Sequence, residues 1–388
     1  MTPQVGAIAA LWPSDSPAAD STVRRFLAFP SQHDPRLLIP TRPHRASVIA
    51  LRALRDKSTL TARAKTELAR AAIAVTRRAV ELPDPDILGT VLSHLREDDY
   101  TYGVHFGPPR ANRKPVIAIV TTGGNLTAFA KCGVDELTDR LVRREAQALG
   151  LLNGLTSITV PVHLGSGDFD GHAYLVQSPV PASSVGQAKS SAVVAAQVEV
   201  AGVGRESVDV AVALHATARL WDGRVASSPN SSAKAQLRAL ADEWARAARG
   251  ADLLWGSWHG DWRATNMAVN GSMCSVWDWE RFATGVPAGY DALHLFLTSQ
   301  VSSTIEGLPA QLYANADRLL QPFGVHPGAT AELVATGYLL ELAGRYLDDD
   351  QTRAGARLGQ VEEWLLPHLV RVASQRTSRS QGRDVNES

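Results

Sequence analysis

Three polar side chains between Trp258 and Glu280 have the types and the spacing that phosphoryl transfer requires. Asp261 comes first, Asn266 follows five residues later, and Asp278 follows after a further twelve. Phosphoryl transfer needs a carboxylate that orients the attacking hydroxyl, and oxygen ligands that hold Mg²⁺ against the nucleotide phosphates. Asp261 is the candidate for the first task, and Asn266 with Asp278 is the candidate pair for the second.

The elements around these residues are predicted to bring them together. Met267–Val269 and Ser275–Trp277 have the pattern of two short strands joined by the turn at residues 270–272, which reads Asn-Gly-Ser. A hairpin of this kind places the loop of Asp261 beside Asp278. Isolated aspartates often cap helices or turns, but three polar groups in this order favour a site.

The motifs resemble those of a known family. His-Gly-Asp at 259–261, Asn266 and Asp-Trp-Glu at 278–280 are similar to the catalytic loop and metal-binding segment of the aminoglycoside phosphotransferase and choline kinase family, and residues 285–293 extend the match. The matching motifs cover about forty residues. The resemblance implies an α+β, bilobal protein-kinase-like fold, with a small N-lobe of antiparallel sheet and one helix and a larger, mainly helical C-lobe.

The same resemblance implies a Mg²⁺-dependent small-molecule kinase that uses ATP or GTP. In kinases, a lysine on the third strand contacts the nucleotide phosphates and pairs with a glutamate on the following helix. Lys131, in the predicted strand Leu126–Cys132, and Glu145, in the predicted helix Val134–Leu152, fit these positions. Glu136 is the alternative partner, although a carboxylate at a helix start is also explained by the helix dipole. A surface lysine beside a solvated helix face is the simpler alternative for the pair.

Several further residues near the loop have more than one interpretation. Asp261 is predicted to be the catalytic base or the group that orients the hydroxyl. Arg263 is predicted to neutralise charge on the transferring phosphoryl group, or else to form a salt bridge with a structural carboxylate. Glu280 either binds a second metal ion or makes a polar contact at a strand end. His259 is interpreted as fixing the loop backbone, and Trp262 as a substrate contact.

Composition limits the partners of the chain. The 388 residues have 45% apolar content, and two of them are cysteines, which predicts a cytoplasmic protein. The net charge of zero predicts no nucleic-acid partner. No uncharged apolar run is long enough to predict a transmembrane segment. Residues 42–80 are the exception, with ten Lys or Arg against two acidic residues. The basic residues of this segment are interpreted as the solvent-exposed face of amphipathic helices. The less favoured alternative is weak contact with a polyanion or a membrane surface.

The predicted organisation has four parts: an N-terminal α/β extension at 1–97, the N-lobe at 98–180, the helical C-lobe with the catalytic loop at 181–374, and a disordered tail at 375–388. Strands are predicted at Arg25–Pro30, Arg36–Pro40, Thr101–Phe106, Pro115–Val120, Leu126–Cys132, Ile158–Leu164 and His172–Gln177. Further helices are predicted at Arg45–Val80, Pro85–Leu95, Glu206–Leu220, Ala233–Arg249, Tyr290–Val301, Leu308–Leu320, Ala329–Leu347 and Ala354–Ser374.

The acceptor is the least determined part of the prediction. The loop at 107–114 has no Gly-x-Gly-x-x-Gly motif, so Arg110, Asn112 or Arg113 would have to approach the phosphates, unless they are solvated. The C-lobe is not strongly acidic, and its acidic run at 348–350 is interpreted as a solvated turn. The prediction is therefore a small hydroxylated acceptor, such as a sugar, amino sugar or related metabolite. An aminoglycoside-resistance kinase and a catalytically silent nucleotide-binding module are the alternatives.

Overall fold

The chain divides into two compact units. The computed structural model describes residues 11–12, 22–31, 35–54, 79–96, 98–107, 112–181, 191–205, 231–300, 304–348 and 361–372. The first unit comprises Met1–Gly154, Ile158–Gln187 and Ala264–Arg281, and is called the sheet unit. The second comprises Leu155–Ser157, Ala188–Arg263 and Phe282–Ser388, and is called the helical unit.

An eight-stranded antiparallel sheet forms the centre of the sheet unit. Its spatial order is β3-β1-β2-β4-β5-β6-β9-β8. The strands are β1 (Val23–Pro30), β2 (Pro35–Pro40), β3 (Ala79–Pro83), β4 (Tyr100–His105), β5 (Val116–Thr121), β6 (Leu126–Cys132), β8 (His163–Phe169) and β9 (His172–Gln177). The predicted α+β class, with an antiparallel sheet and separate helices, is confirmed.

Two helices cover the sheet because its central strands are apolar on both faces. Helix α1 (His44–Leu54) buries Ala50 and Leu51 in one core cluster, and α2 (Ile87–Ser93) buries Leu88 and Val91 in another. The α1 helix approaches β4 closely at Gly103, where an added Cβ would lie 3.0 Å from the side chain of Leu54. Burial of these apolar faces is the main favourable term in folding the unit.

Helix α3 (Glu136–Leu151) is the element that carries Glu145. It begins with a capping box, in which the Asp135 side chain accepts from the Thr138 amide at 2.8 Å and the Thr138 hydroxyl accepts from the Asp135 amide at 3.0 Å. The buried Asp139 carboxylate then accepts from the Ala173 amide on β9 at 2.8 Å. These contacts fix the helix against the sheet and so set the position of Glu145.

The predicted N-terminal extension shares the main sheet. Strands β1 and β2 form where prolines were predicted to stop two strands, and β2 pairs with β4 at Leu37–His105 and Leu38–Val104. One prediction here is wrong, because Ala79 and Val80, assigned to the end of a long helix, lie in β3 and pair with β1. The edge of β1 needs a hydrogen-bonding partner, which β3 supplies. Residues 55–78 of that predicted helix, the centre of the basic segment, lie outside the described residues.

A second, three-stranded sheet contains the hairpin that Asn266 precedes and Asp278 follows. It consists of β7 (Ile158–Thr159), β11 (Met267–Asn270) and β12 (Met273–Val276), and the hairpin β11–β12 confirms the predicted turn. Gly271 in this turn has φ of 62°, a conformation that glycine adopts without strain. The single strand predicted at Ile158–Leu164 is wrong, since residues 158–159 pair with β12 and the main sheet resumes only at His163. Pro161 lies between the two pieces and cannot donate to a ladder.

The helical unit has a short sheet of β10 (Trp255–Trp258) and β13 (Ala283–Pro287), paired antiparallel. Its helices are α4 (Ser191–Gly202), α5 (Ser231–Arg249), α6 (Tyr290–Ser299), α7 (Leu308–Leu320), α8 (Ala329–Asp348) and α9 (Val361–Trp364). Their apolar faces form one core cluster around Trp244, Trp258 and Tyr338. In the described part of the chain, none of the helices combines the length and the apolar character needed to cross a membrane.

Helices α5 to α8 agree with their predicted positions, whereas α4 was missed. The α4 sequence is apolar around most of its circumference and contains three valines among its first eight residues, so it lacks the alternation that marks an amphipathic helix. Its buried side chains include Val193 and Val200. The predicted helix at 206–220 and the predicted tail at 375–388 lie outside the described residues.

Candidate active site

Lys131 is the centre of a buried ion cluster in the sheet unit. Its Nζ donates to Glu145 Oε1 and Oε2 at 2.6 and 2.7 Å, and to Asp278 Oδ1 at 2.7 Å. An ammonium group has three donors, and two of these three contacts go to the two oxygens of the Glu145 carboxylate. Glu145 Oε1 also accepts from the Trp279 amide at 3.2 Å. One lysine thereby links strand β6, helix α3 and the segment after β12.

Charge explains why this cluster is stable in the interior. Burial alone would lower the pKa of Lys131, but the carboxylates of Asp278 and Glu145 raise it, and the ammonium stays charged. Burial raises the pKa of Glu145, while Lys131 opposes that shift. Lys131 and Glu145 are 7% and 0% exposed. Their contact is therefore well shielded from solvent, unlike a surface pair.

One more carboxylate, that of Glu280, extends the cluster in the segment after β12. The nearest oxygens of Glu145, Asp278 and Glu280 all lie within 4.8 Å of one another. Glu280 Oε2 accepts a short bond from Lys114, and its Oε1 accepts from Asn112 Nδ2 at 3.2 Å. Three carboxylates thus face two ammonium groups. Cation binding is favoured where carboxylate charge exceeds the local positive charge.

Asp278 has an unusual backbone conformation. Its φ is 74°, in the left-handed region that few residues other than glycine adopt. Its side chain is 32% exposed, in contrast to its buried neighbours. Strained backbone of this kind is typical of functional sites. The conformation directs one oxygen to Lys131 while the carboxylate keeps access to solvent.

Asn266 lies at the start of the hairpin that leads to Asp278. It ends a short 3₁₀ turn (Ala264–Asn266), and its backbone carbonyl oxygen accepts from the Trp277 amide at 3.1 Å. This bond closes the hairpin and ties Asn266 to the residue preceding Asp278. The amide and carboxylate oxygens of this pair suit Mg²⁺, which takes few protein ligands and keeps several waters. The donor set therefore fits Mg²⁺.

The loop that carries Asp261 is held in the helical unit by a buried carboxylate. Asp291, at the start of α6, accepts from the His259 amide at 2.7 Å and from the Gly260 amide at 3.2 Å. Arg345 on α8 donates a short bond to the Gly260 carbonyl, and the Asp261 amide donates to His259 Nδ1 at 3.1 Å. His259 thus fixes the loop backbone, as its interpretation from the sequence required.

Asp261 itself is ionised, and its Oδ1 oxygen has two hydrogen-bonding partners. Arg263 Nη2 donates a short bond to Oδ1, and His294 Nε2 lies 3.2 Å from the same atom. Burial alone would raise the pKa of Asp261, but Arg263 and His294 hold it well below its ordinary range, with Arg345 adding to the effect. A carboxylate with so low a pKa is a weak base, and it is better suited to orienting a hydroxyl than to removing its proton early.

The structure brings the candidate residues together in two groups. Lys131, Glu145 and Asp278 meet in the sheet unit, with Asn266 bonded beside them through the backbone. Asp261 and Arg263 meet in the helical unit. The competing partner of Lys131, Glu136, has a 91% exposed side chain and pairs with Arg140 instead.

Burial and bonding also test the interpretations of Trp262 and of the loop residues Asn112 and Arg113. Trp262 is 0% exposed and packs edge-on against His259, so the interpretation of Trp262 as a substrate contact is wrong. Burial of this large apolar ring in the core stabilises the fold more than its exposure to solvent would. Asn112 bonds to Glu280, and Arg113 is buried with its Nε donating to the Phe106 carbonyl at 2.9 Å. Arg110 lies outside the described residues.

Sequence reasoning missed four residues that shape the loop: His294, Tyr338, Arg345 and the role of Asp291. Residues 290–293 were recognised only as a helix start typical of the resembled family. Arg345 and Tyr338 lie on α8, more than seventy residues after Asp261. Nothing in their local pattern distinguishes them from ordinary helix residues, because their role depends on the packing of α8 against α6.

No family model matches the chain, and no curated protein matches it. Among solved structures, it is similar to a thermostable mutant of aminoglycoside phosphotransferase APH(4)-Ia in a complex with ADP and hygromycin B, with 12% identity, coverage of 73% of this chain and 97% of that chain, and a TM-score of 0.47. It is also similar to the GDP complex of wild-type aminoglycoside 2'-phosphotransferase-IIIa, with 13% identity, coverage of 74% and 97%, and a TM-score of 0.46. A third is APH(3'')-Id from Streptomyces rimosus with ADP and streptomycin, with 15% identity, coverage of 65% and 98%, and a TM-score of 0.40.

These solved structures are of the enzyme class that the motifs resemble. Their TM-scores are all below 0.5. The likeness therefore has no weight in assigning fold or function, which rest on the residues of the chain itself.

Proposed function

We propose that the protein is a Mg²⁺-dependent phosphotransferase that transfers the γ-phosphoryl group of ATP or GTP to a hydroxyl of a small molecule. The observation that carries the proposal is the pair of bonds from Lys131 to Glu145 and Asp278 at 2.6 and 2.7 Å. In an active kinase, the strand lysine is paired with the helix glutamate, and the metal-binding aspartate is in place at the same time. The bonds of Lys131 to Glu145 and to Asp278 support this arrangement.

The sheet unit supplies the nucleotide-binding functions of the proposal. Lys131 contacts the phosphates, and Glu145 orients its ammonium group. Asn266 and Asp278 would hold Mg²⁺, which would neutralise the negative charge that develops during transfer. The exposure of Asp278 and the nearby carboxylate oxygens of Glu145 and Glu280 support this assignment.

The helical unit supplies the acceptor functions. Asp261 accepts a hydrogen bond from the attacking hydroxyl, orients it and takes its proton late in the reaction. A low pKa suits this role, because the loose transition state of phosphoryl transfer needs little help from a strong base. Arg263 fixes Asp261 and adds positive charge where the phosphoryl group gains negative charge.

The acceptor in this proposal is a sugar, amino sugar or related metabolite, and the protein acts in the cytoplasm. The two cysteines, Cys132 and Cys274, are both free and buried, which is compatible with a reducing compartment. An aminoglycoside acceptor is the alternative drawn from the motif resemblance. A silent nucleotide-binding module is disfavoured because Lys131, Asp261 and Asp278 are intact and paired. Contact of residues 42–80 with a polyanion stays a prediction; in the described part of that segment, Leu51 and Leu54 are buried in the core.

The test is Mg²⁺-dependent release of ADP from ATP, or GDP from GTP, with a panel of sugars, amino sugars, aminoglycosides and amino alcohols. Asp261→Asn is the control that keeps the shape of the side chain and removes its charge. Acceptor-stimulated turnover that is lost in this variant supports the proposal and identifies the acceptor class. Tight nucleotide binding without acceptor-dependent turnover favours the catalytically silent nucleotide-binding module. Absence of nucleotide binding refutes the proposal.

A further inference from the structure

His294 connects Asp261 to a second buried group. It lies on α6 with 0% exposure, and its Nε2 is 3.2 Å from Asp261 Oδ1. Its other ring nitrogen, Nδ1, is 3.0 Å from the hydroxyl of Tyr338 on α8, which is also 0% exposed. Both nitrogens of one imidazole are therefore used in a chain of contacts that ends on the candidate acceptor-orienting carboxylate.

The chemistry of the partners fixes the direction of these hydrogen bonds. An ionised carboxylate only accepts, so Nε2 must carry the proton and donate it to Asp261. A neutral imidazole has a single N–H, so Nδ1 accepts, and Tyr338 is the donor. Every donor in the chain thus points toward Asp261. Reversal of either bond would leave a buried acceptor facing another acceptor.

The surroundings keep each member in the required protonation state. Burial lowers the pKa of His294 to about 4, and the positive charges of Arg345 and Arg263 act in the same direction, although Asp261 opposes them. Burial raises the pKa of Tyr338 well above its ordinary value, so the phenol keeps its proton. The imidazole is consequently neutral, and it has one tautomer, at the pH of most assays.

We propose that His294, held in its Nε2–H tautomer by Tyr338, is a positioning residue that fixes the rotation of the Asp261 carboxylate for the acceptor hydroxyl. The inference rests on the proposed phosphotransferase function for its kinetic meaning. Its structural content is independent, because Arg263 and His294 both contact Oδ1 and together restrict the position of this oxygen. A misplacement of about 1 Å in a reacting group can lower a rate about 100-fold.

Three variants separate positioning from packing. His294→Leu removes the donor at similar volume, and we expect kcat to fall by about 100-fold with the KM for nucleotide changed by less than about twofold. His294→Gln retains an amide donor and an acceptor, and we expect it to recover at least about tenfold of the loss. Tyr338→Phe removes only the lock on the tautomer, with an expected fall in kcat of about fivefold.

Tyr290→Phe is the matched control. Its ring lies 5.7 Å from the ring of Tyr338 in the same core, and its hydroxyl makes no hydrogen bond among the described residues. We expect this variant to keep the wild-type kcat. An equal loss in Tyr290→Phe and Tyr338→Phe would assign the effect to packing and overturn the inference. Wild-type kcat in His294→Leu would overturn it as well.

A second readout does not depend on turnover. Nitrogen-15 nuclear magnetic resonance of the labelled imidazole identifies the tautomer, and carbon-13 titration of the Asp261 carboxyl measures its pKa. We expect the proton of His294 on Nε2, and a higher pKa of Asp261 in His294→Leu. A proton on Nδ1 overturns the inference. If the wild-type protein shows no acceptor-dependent turnover, the proposed function fails, and this measurement still decides which nitrogen of His294 donates to Asp261.

Discussion

Replacement of Lys131 by methionine tests the ion cluster most severely. Methionine fills a similar volume without the charge, so Glu145, which is 0% exposed, loses both bonds from the ammonium group. The Trp279 amide, at 3.2 Å, remains as its donor. Removal of one partner from a buried ion pair costs about 3–5 kcal/mol. We therefore expect Lys131→Met to destabilise the sheet unit by that amount near neutral pH.

The expected loss depends on pH in a defined direction. Without Lys131, burial of Glu145 raises its pKa further above the ordinary value of about 4.3. An acid whose pKa is raised by folding favours the folded state at low pH, and that contribution is lost as pH rises through the folded-state pKa. The destabilisation by Lys131→Met should therefore be smaller at pH 5 than at pH 8.

Native-state hydrogen exchange measures this effect in the sheet unit alone, through the amides of β6 and of Trp279. The double variant Lys131→Met/Glu145→Gln is the matched control, since it removes the unpaired charge and keeps an acceptor for the Trp279 amide. We expect it to be more stable than Lys131→Met. A cost below about 1 kcal/mol for the single variant, or a double variant that is less stable than the single one, would refute the proposed role of the pair.

Three further predictions concern the other candidate residues. Asp278→Asn should retain the contact with Lys131 but raise the Mg²⁺ concentration needed for half-maximal turnover by at least about tenfold, whereas Glu136→Gln, at an exposed carboxylate, should leave it unchanged. Asp291→Ala leaves the two buried loop amides without their acceptor, and we expect it to cost about 2–6 kcal/mol in urea unfolding and to lower kcat more than nucleotide affinity; wild-type kcat would contradict this. Folding lowers the pKa of Asp261, so this carboxylate stabilises the folded state above about pH 4, and the stabilisation is lost as the pH falls below that value. The stability difference between wild type and Asp261→Asn should therefore shrink from pH 5 to pH 3. A difference independent of pH would contradict the ionised state.

The chemistry near the motifs could be predicted from the sequence because the deciding signals are local. The order of Asp261, Asn266 and Asp278, and the hairpin between the last two, depend on turn chemistry and short strands that leave a clear pattern. Lys131 and Glu145 were found through the resemblance to kinases, which implies a lysine on the third strand and a glutamate on the following helix. The structure then shows the bonds that join Lys131 to Glu145 and to Asp278 in the sheet unit.

The parts that could not be predicted depend on packing over long sequence separation. Strand β3 forms only because β1 has an edge to pair, and α4 is hidden by its uniformly apolar composition. His294 and Tyr338 are separated by 44 positions and look like core residues until α6 and α8 pack together. Trp262 was interpreted as a substrate contact because tryptophan suits both stacking on substrates and burial, and only the structure distinguishes the two.

The central claim is that this chain forms a phosphate ester from a nucleoside triphosphate and a hydroxyl compound. The most direct measurement is mass spectrometry of an acceptor pool after incubation with Mg²⁺ and ATP carrying oxygen-18 in its γ-phosphoryl group. The account predicts a labelled phosphate ester that forms with the wild-type protein, is lost with Asp261→Asn, and is strongly reduced with Asp278→Asn at a Mg²⁺ concentration just sufficient for the wild-type protein. Labelled inorganic phosphate as the only product, or an ester that forms equally well with both variants, would contradict it.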